Sequence, residues 1–241
     1  MKPESTFNFA ASLRKVENRF NFAGQETGMP LTGAAGMSAN GDREPRTDRG
    51  RKTLHRLIEA AAAEFGERGF HEAAINGITR RAGVALGTFY TYFESKEEVF
   101  RALVREMSRA TRAHVAEAVK GAPDRLTAER LGLEAFITFT RRHPELYRII
   151  EEAQFVAQDA YREHYLSFAD AYRRNLASAR ERLLIDGGTG DVEETDEARA
   201  WALIGMSVFL GMRYGLWGQD LEPARVAEIA IQLVSEGLRR R

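Results

Sequence analysis

The stretch Gly83-Val84-Ala85-Leu86-Gly87-Thr88-Phe89-Tyr90-Thr91-Tyr92-Phe93-Glu94-Ser95-Lys96 leaves this chain little freedom. Ahead of it Ile75, Ile78 and Ala82 recur on one helical face, and Gly83 ends that helix with the residue type that most easily turns left-handed. A second short helix follows, in which Phe89 and Phe93 stand four apart and can both point into a small core. Leu86, Thr88, Tyr90, Thr91 and Tyr92 are left on or near the outside, hydroxyl-bearing or flat and almost uncharged. Two short helices joined through a glycine turn, the second presenting hydroxyls and a rigid aromatic, suit insertion into a DNA major groove. On that reading Thr88 and Tyr92 donate to phosphate oxygens, the Tyr90 ring lies on a thymine methyl, and Lys96 supplies a cation. The competing reading is that Tyr90 and Tyr92 complete a three-helix core.

The flanking segments fit a small helical domain. From Arg51 to about Arg68, Leu54, Leu57, Ile58, Ala61 and Phe65 keep helical spacing, with Gly66 and Gly69 marking the end. Arg46, Arg49, Arg51 and Lys52 cluster just ahead, where an arm reaches phosphates or the minor groove, or where a helix start is simply solvated. After Lys96 a longer helix is expected to about Lys120, with Val99, Phe100, Leu103, Val104 and Met107 as its buried stripe. That helix begins at the proposed contact lysine and ends in the second domain, as a lever would.

Gly69-Phe70, Ile75, Ile78, Ala82-Gly83-Val84, Gly87-Thr88-Phe89-Tyr90, Tyr92-Phe93 and Ser95-Lys96 together resemble the DNA-binding domain of the TetR family of transcriptional regulators, over about Arg51 to Phe100. The resemblance implies an all-α protein: an N-terminal three-helix helix-turn-helix domain, then a larger helical domain for ligand binding and dimerisation. It also implies a homodimer that represses transcription until a small molecule loosens its hold on double-stranded operator DNA. Thr88, Tyr92 and Lys96 resemble the family's phosphate contacts, and Asn76, Leu86 and Tyr90 the positions that meet base edges. Ala73 and Ala74 replace the hydroxyl residues that usually open the second helix, so a cap is missing unless Asn76 supplies it. Leu86 offers no hydrogen bond and Ala85 replaces a common serine, so fewer polar base contacts than usual are expected.

Composition narrows the class without naming a partner. The formal net charge is zero, so any electrostatic attraction to DNA must be local. The absence of cysteine excludes a disulfide framework and thiolate chemistry. No apolar run approaches the roughly 20 residues that span a bilayer, and the N-terminus lacks an apolar signal core, so a cytoplasmic protein is expected. Residues 1–45 read as a flexible extension: Gly24 to Gly41 has linker composition, while Phe9, Leu13, Val16 and Phe20 space Thr6 to Phe22 as a short amphipathic helix. Translation from Met29 or Met37 is an alternative start. The helix-turn-helix domain is placed at 46–100 and the effector-binding and dimerisation domain at 101–241.

The remainder reads as helices without a strand pattern. Leu126 to Arg142 breaks at His143-Pro144, Pro144 opens a helix to about Ala157, and another runs from about Asp159 to Ile185 before a glycine-rich loop at Asp186 to Asp191. Glu194 to Gly218 is apolar on more than one face, and Pro223 to Leu238 is amphipathic. Trp201, Val208, Val226, Ile229 and Leu233 are therefore the candidate dimer interface, with Gly205 and Gly211 allowing close helix approach. A pocket for an apolar effector is read from Phe136, Phe139, Tyr147, Phe155, Tyr165, Phe168 and Phe209. Arg213, interrupting an apolar run, either pairs with Glu151 or Glu152 or meets an anionic ligand group. Arg142 to Ile150 resembles stretches in family members that sense acyl thioesters, which points to a long, partly anionic, apolar effector, with a drug-like cation as the second choice. No catalytic constellation, metal-spaced histidine cluster, phosphate loop or cofactor motif is present, so no enzyme, metal or cofactor is expected. The other function class is a helical adaptor that touches protein instead of DNA.

Overall fold

The structure is a computed structural model, and it describes residues 45, 47–182, 185, 188 and 190–237. The proposed helix at Thr6 to Phe22, the linker after it and Arg46 lie outside the described residues. Within them the chain forms α1 (Asp48–Glu72), α2 (Ile75–Ala82), α3 (Leu86–Tyr92), α4 (Lys96–Val119), α5 (Arg125–Arg142), α6 (Pro144–Val156), α7 (Gln158–Glu181), α8 (Val192–Gly211), a π-helical turn at Met212–Trp217, and α9 (Pro223–Glu236). There is no strand among the described residues. The chain falls into two compact units, the first ending at Leu103 and the second beginning at Val104.

In the first unit, α1 begins earlier than its apolar spacing suggests. Thr47, with extended backbone, caps it by accepting from the Gly50 N–H at 3.1 Å, so Asp48 to Lys52 are helical and not an extended arm. Its helical path is broken at Gly69, whose φ of 74° only glycine adopts easily. The break turns Phe70 back onto the core: Phe65 and Phe70 stack at 5.8 Å, and Phe100 meets both edge-on at 5.0 and 5.1 Å. Leu57, Ala61, Ile78, Phe89, Phe93, Val99 and Leu103 complete a buried core.

The second unit is a helical bundle with one tight seam. Leu133 and Ile137 of α5 pack against Val226, Ala227 and Ala230 of α9, with Met206, Leu210, Tyr214 and Leu221 around them. Val226 is thus core of its own subunit, which removes it from the candidate dimer interface: a valine inside an intrachain seam has no face left for a partner. The helix expected to run unbroken to Gly218 instead widens to π geometry after Gly211. Sterics account for glycine there, since a Cβ at Gly211 would lie 2.6 Å from the Phe136 ring and one at Gly215 2.8 Å from the Thr140 methyl. Arg141 secures the irregular turn by donating to the Tyr214 carbonyl at 2.9 Å and to that of Leu221. At Gly205, by contrast, a Cβ would meet open space, so no close approach within the subunit requires that glycine.

Candidate DNA-contact edge and effector cavity

The turn between α2 and α3 is built by Gly83, in left-handed conformation at φ 64° and ψ 40°. Its N–H and that of Val84 reach back to the last turn of α2, the latter bonding the Thr79 carbonyl at 3.1 Å, which closes a Schellman-type stop. The next residues start α3 at an angle that buries Phe89 completely and leaves Leu86 44 % and Tyr90 49 % exposed. The outer edge of α3 is therefore apolar and aromatic at Leu86 and Tyr90. Thr88 and Tyr92 face a shallow groove lined also by Arg49, Thr53 and Arg56 of α1. Arg49 and Arg56 carry the positive charge that the chain's zero net charge hides; Arg56 lies inside the amphipathic pattern of α1, where it reads as ordinary surface.

Three expectations on this edge change. Lys96 is not an outward cation: its Nζ donates to the carbonyls of Phe70 at 2.7 Å, His71 at 3.2 Å and Ala73 at 3.0 Å, and stands 4.5 Å from the centre of the Phe70 ring. An ammonium has three N–H bonds, and all three are engaged in closing the kinked end of α1. Tyr92 spends its hydroxyl proton on the Gly50 carbonyl at 3.3 Å, so it positions α3 against α1 and keeps only an acceptor free. Asn76 does not cap α2. The cap position is Ala74, with no side-chain bond, and Asn76 lies in the first turn with its side chain exposed. Arg51 is exposed but shared with Asp48 at 2.5 Å and the Pro45 carbonyl at 3.3 Å, whereas Lys52 is exposed with no ion pair among the described residues.

α2 is held to α1 by a buried carboxylate. Glu64 receives Arg81 Nε at 2.7 Å and Arg68 Nε at 3.3 Å, and Arg81 reaches Glu67 as well. The bonds to Glu67 and Glu64 hold the Arg81 guanidinium above its ordinary pKa.

The second unit contains a cavity of about 400 Å³ walled by α4, α5, α6, α7 and α8, within the size range of small-molecule sites. Along α4 it is bordered by Met107, Thr111, Val115 and Val119, spaced by four, so it extends about 18 Å at 1.5 Å per residue. Phe136, Phe139, Tyr147, Tyr165 and Phe168 line it. Burial raises the hydroxyl pKa of Tyr147 to about 12 and that of Tyr165 further, so both remain neutral donors. Phe155, Phe209 and Arg213 do not line it. Phe155 is 82 % and Phe209 65 % exposed on the outer faces of α6 and α8. Arg213 forms a two-pronged pair with Asp220, at 2.9 and 3.0 Å, which supplies the counter-ion expected from Glu151 or Glu152. Val208, a dimer-interface candidate, also lines the cavity.

The polar residues of the wall are the part missed in the linear reading. Arg125 and Glu129 pair across one turn of α5, and burial lifts the Glu129 carboxyl above its usual range despite Arg125. Arg112 donates to Ser108 at 2.7 Å and to Ser167, while burial, with the nearby charge of Arg109, lowers its pKa. Its signal in the sequence is position: it falls beside the Met107–Val119 stripe.

The family model described as "Bacterial regulatory proteins, tetR family" matches residues 57–103. The HTH-type transcriptional activator FasR of Mycolicibacterium smegmatis is 32% identical over 124 residues, 52% of this chain and 55% of FasR, so the match spans about half of that relative's length. The HTH-type transcriptional regulator YdgC of Bacillus subtilis is 28% identical over 194 residues, 79% of this chain and 94% of YdgC. Among solved structures, FadR from Bacillus subtilis in complex with stearoyl-CoA shares the fold with TM-score 0.64 at 18% identity, covering 77% of this chain and 99% of FadR. AibR in complex with isovaleryl coenzyme A and operator DNA aligns with TM-score 0.55 at 15% identity, covering 75% of this chain and 97% of AibR. Relatives of this kind are transcriptional regulators and not enzymes. No helix among the described residues is long and apolar enough to cross a membrane.

Proposed function

We propose that this chain, whose residues 57–103 match the family model of the bacterial tetR regulatory proteins, is a homodimeric repressor released from operator DNA by an apolar acyl effector. The observation that carries the reading is the α3 edge: Leu86 and Tyr90 stand outward on a helix whose Phe89 is wholly buried, beside a groove with Arg49 and Arg56. Tyr90 and Leu86 meet base edges, Asn76 joins them from α2, and Thr88, Lys52 and the groove arginines contact phosphate.

Dimerisation is supported by apolar surface on the last two helices and the π-helical turn. Trp201, Ile229, Leu233 and Val234 are exposed, with Phe209 and Trp217, the latter 71 % exposed, beside them in sequence. Large apolar side chains at this density favour burial against a second copy. The effector reading rests on the aromatic cavity, and the acyl-CoA complexes of fold neighbours make an acyl chain the natural occupant. α4 contributes to both units as one continuous helix, so it is the element through which occupancy would alter the spacing of two α3 edges. Only differential affinity for the two dimer states accomplishes this, and about 5.5 kcal/mol swings the population from one extreme to the other. A dimer on promoter DNA represses by occupying it; the activator FasR is the specific observation behind the opposite sign.

The deciding experiment is a gel shift with DNA upstream of the protein's own coding sequence, titrated with salt and challenged with acyl thioesters, free fatty acids and aromatic cations. A steeply salt-dependent shift abolished by one class supports the reading. Failure to shift any fragment, together with salt-insensitive association with another protein, would replace it with an adaptor.

A further inference from the structure

Resting on the effector-cavity reading, we propose that Arg112 and His164 form an anion-reading subsite inside that cavity, so that the effector is an amphiphile with a carboxylate or phosphate group seated against them. Both side chains border the same space. Arg112 holds Ser108 and Ser167, but no carboxylate pairs with it among the described residues. The acid whose field reaches it, Glu163, is already bound to Arg105 at 2.7 Å. Arg174, also bordering the cavity, adds a second positive charge with no ion pair among the described residues.

His164 supplies the second, independent observation. Its Nδ1 is buried with no hydrogen-bond partner among the described residues, and its ring is packed against Tyr165 and Phe168, at 4.9 and 5.0 Å. A buried polar atom is normally satisfied, and one on a side chain that borders a cavity can be satisfied by what fills that cavity. Ser167 fixes the cluster by accepting from Arg112 while donating to the His164 carbonyl at 2.7 Å. The imidazole is neutral near pH 7, held down to about 4 by burial and then by the charge of Arg112, so it donates one N–H without adding charge. A guanidinium on partly apolar ground with only hydroxyl partners is incompletely paired, and an anionic ligand completes it.

The test is calorimetric titration of the full-length protein with dodecanoic acid, its methyl ester and dodecanoyl-CoA, repeated with Arg112→Gln and Arg112→Lys. The wild type is expected to bind the acid or the thioester at least ~10-fold more tightly than the ester, as a charge-assisted hydrogen bond implies. Arg112→Gln removes that preference while ester binding stays within about twofold, and Arg112→Lys, which keeps the charge, retains part of it. Preference for the acid identifies a carboxylate, and preference for the thioester a phosphate. Equal affinity for acid, thioester and ester, or equal loss of all three in Arg112→Gln, overturns the anion subsite and leaves the cavity reading standing. Binding of none of the three overturns the cavity reading and this subsite with it.

Discussion

Gly77 of α2 lies against the carboxylate of Glu64 in α1, so closely that a Cβ there would overlap all three carboxyl atoms, the farthest, Oε2, at 2.8 Å. Glu64 is only 2 % exposed and is held by Arg81 and Arg68, so it cannot swing aside without breaking a buried ion pair. The glycine is thus what lets α2 approach α1 at the ion-pair side.

Gly77→Ala is expected to destabilise the first unit by about 1–3 kcal/mol, the usual range for overpacking. Thermal unfolding followed by circular dichroism checks it; an unchanged midpoint would mean that Glu64 relocates freely.

Lys96→Gln should act on stability and not on ionic contact with DNA. Without its ammonium the carbonyls of Phe70, His71 and Ala73 lose their donor, with a loss of about 1–3 kcal/mol. The salt dependence of DNA binding by the folded fraction should keep its slope. Arg56→Gln should do the reverse, leaving stability within about 0.5 kcal/mol and lowering the log–log salt slope by about 1. A slope change with Lys96→Gln would restore the phosphate role to that lysine.

Tyr90→Ala removes an exposed ring and should leave the melting temperature nearly unchanged while weakening operator binding by about 1–3 kcal/mol. Competition against random DNA reads this directly; loss of fold in place of affinity would return Tyr90 to the core.

The pH response should carry His164. Its folded-state pKa is about 4 and its unfolded value about 6.5, so between those limits the unfolded chain holds the extra proton. The stabilisation is complete above about pH 6.5 and is lost as pH falls through about 4, amounting to at most about 3 kcal/mol. Melting temperatures between pH 7 and 4.5 should therefore fall less steeply for His164→Gln than for the wild type; parallel curves would show that the buried imidazole does not contribute.

Gly211→Ala should push on the Phe136 ring, destabilising by about 1–3 kcal/mol and altering the cavity wall. Acyl-ligand affinity measured beside the wild type at low temperature, where both are folded, separates the change of shape from the change of stability.

Local chemistry was enough to determine the helical class, the Gly83 stop, the inward Phe89 and outward Tyr90, because each depends on residues within one or two turns of one another. Five of the aromatics that line the cavity were also legible, since bulky rings at helical spacing must face something. Only tertiary structure decided the fate of groups whose partners are distant in the chain or whose helix has two apolar faces. Lys96 meets carbonyls 23 to 26 positions away, and Val226, Val208, Phe209 and Phe155 look alike in sequence yet point into a seam, a cavity and solvent. Periodicity tells which residues share a face, but which of two apolar faces is covered, and by what, is set by how the other helices pack. Charge behaves the same way: a carboxylate or carbonyl far along the chain converts an arginine or lysine from a ligand contact into a brace, as Asp220 does for Arg213.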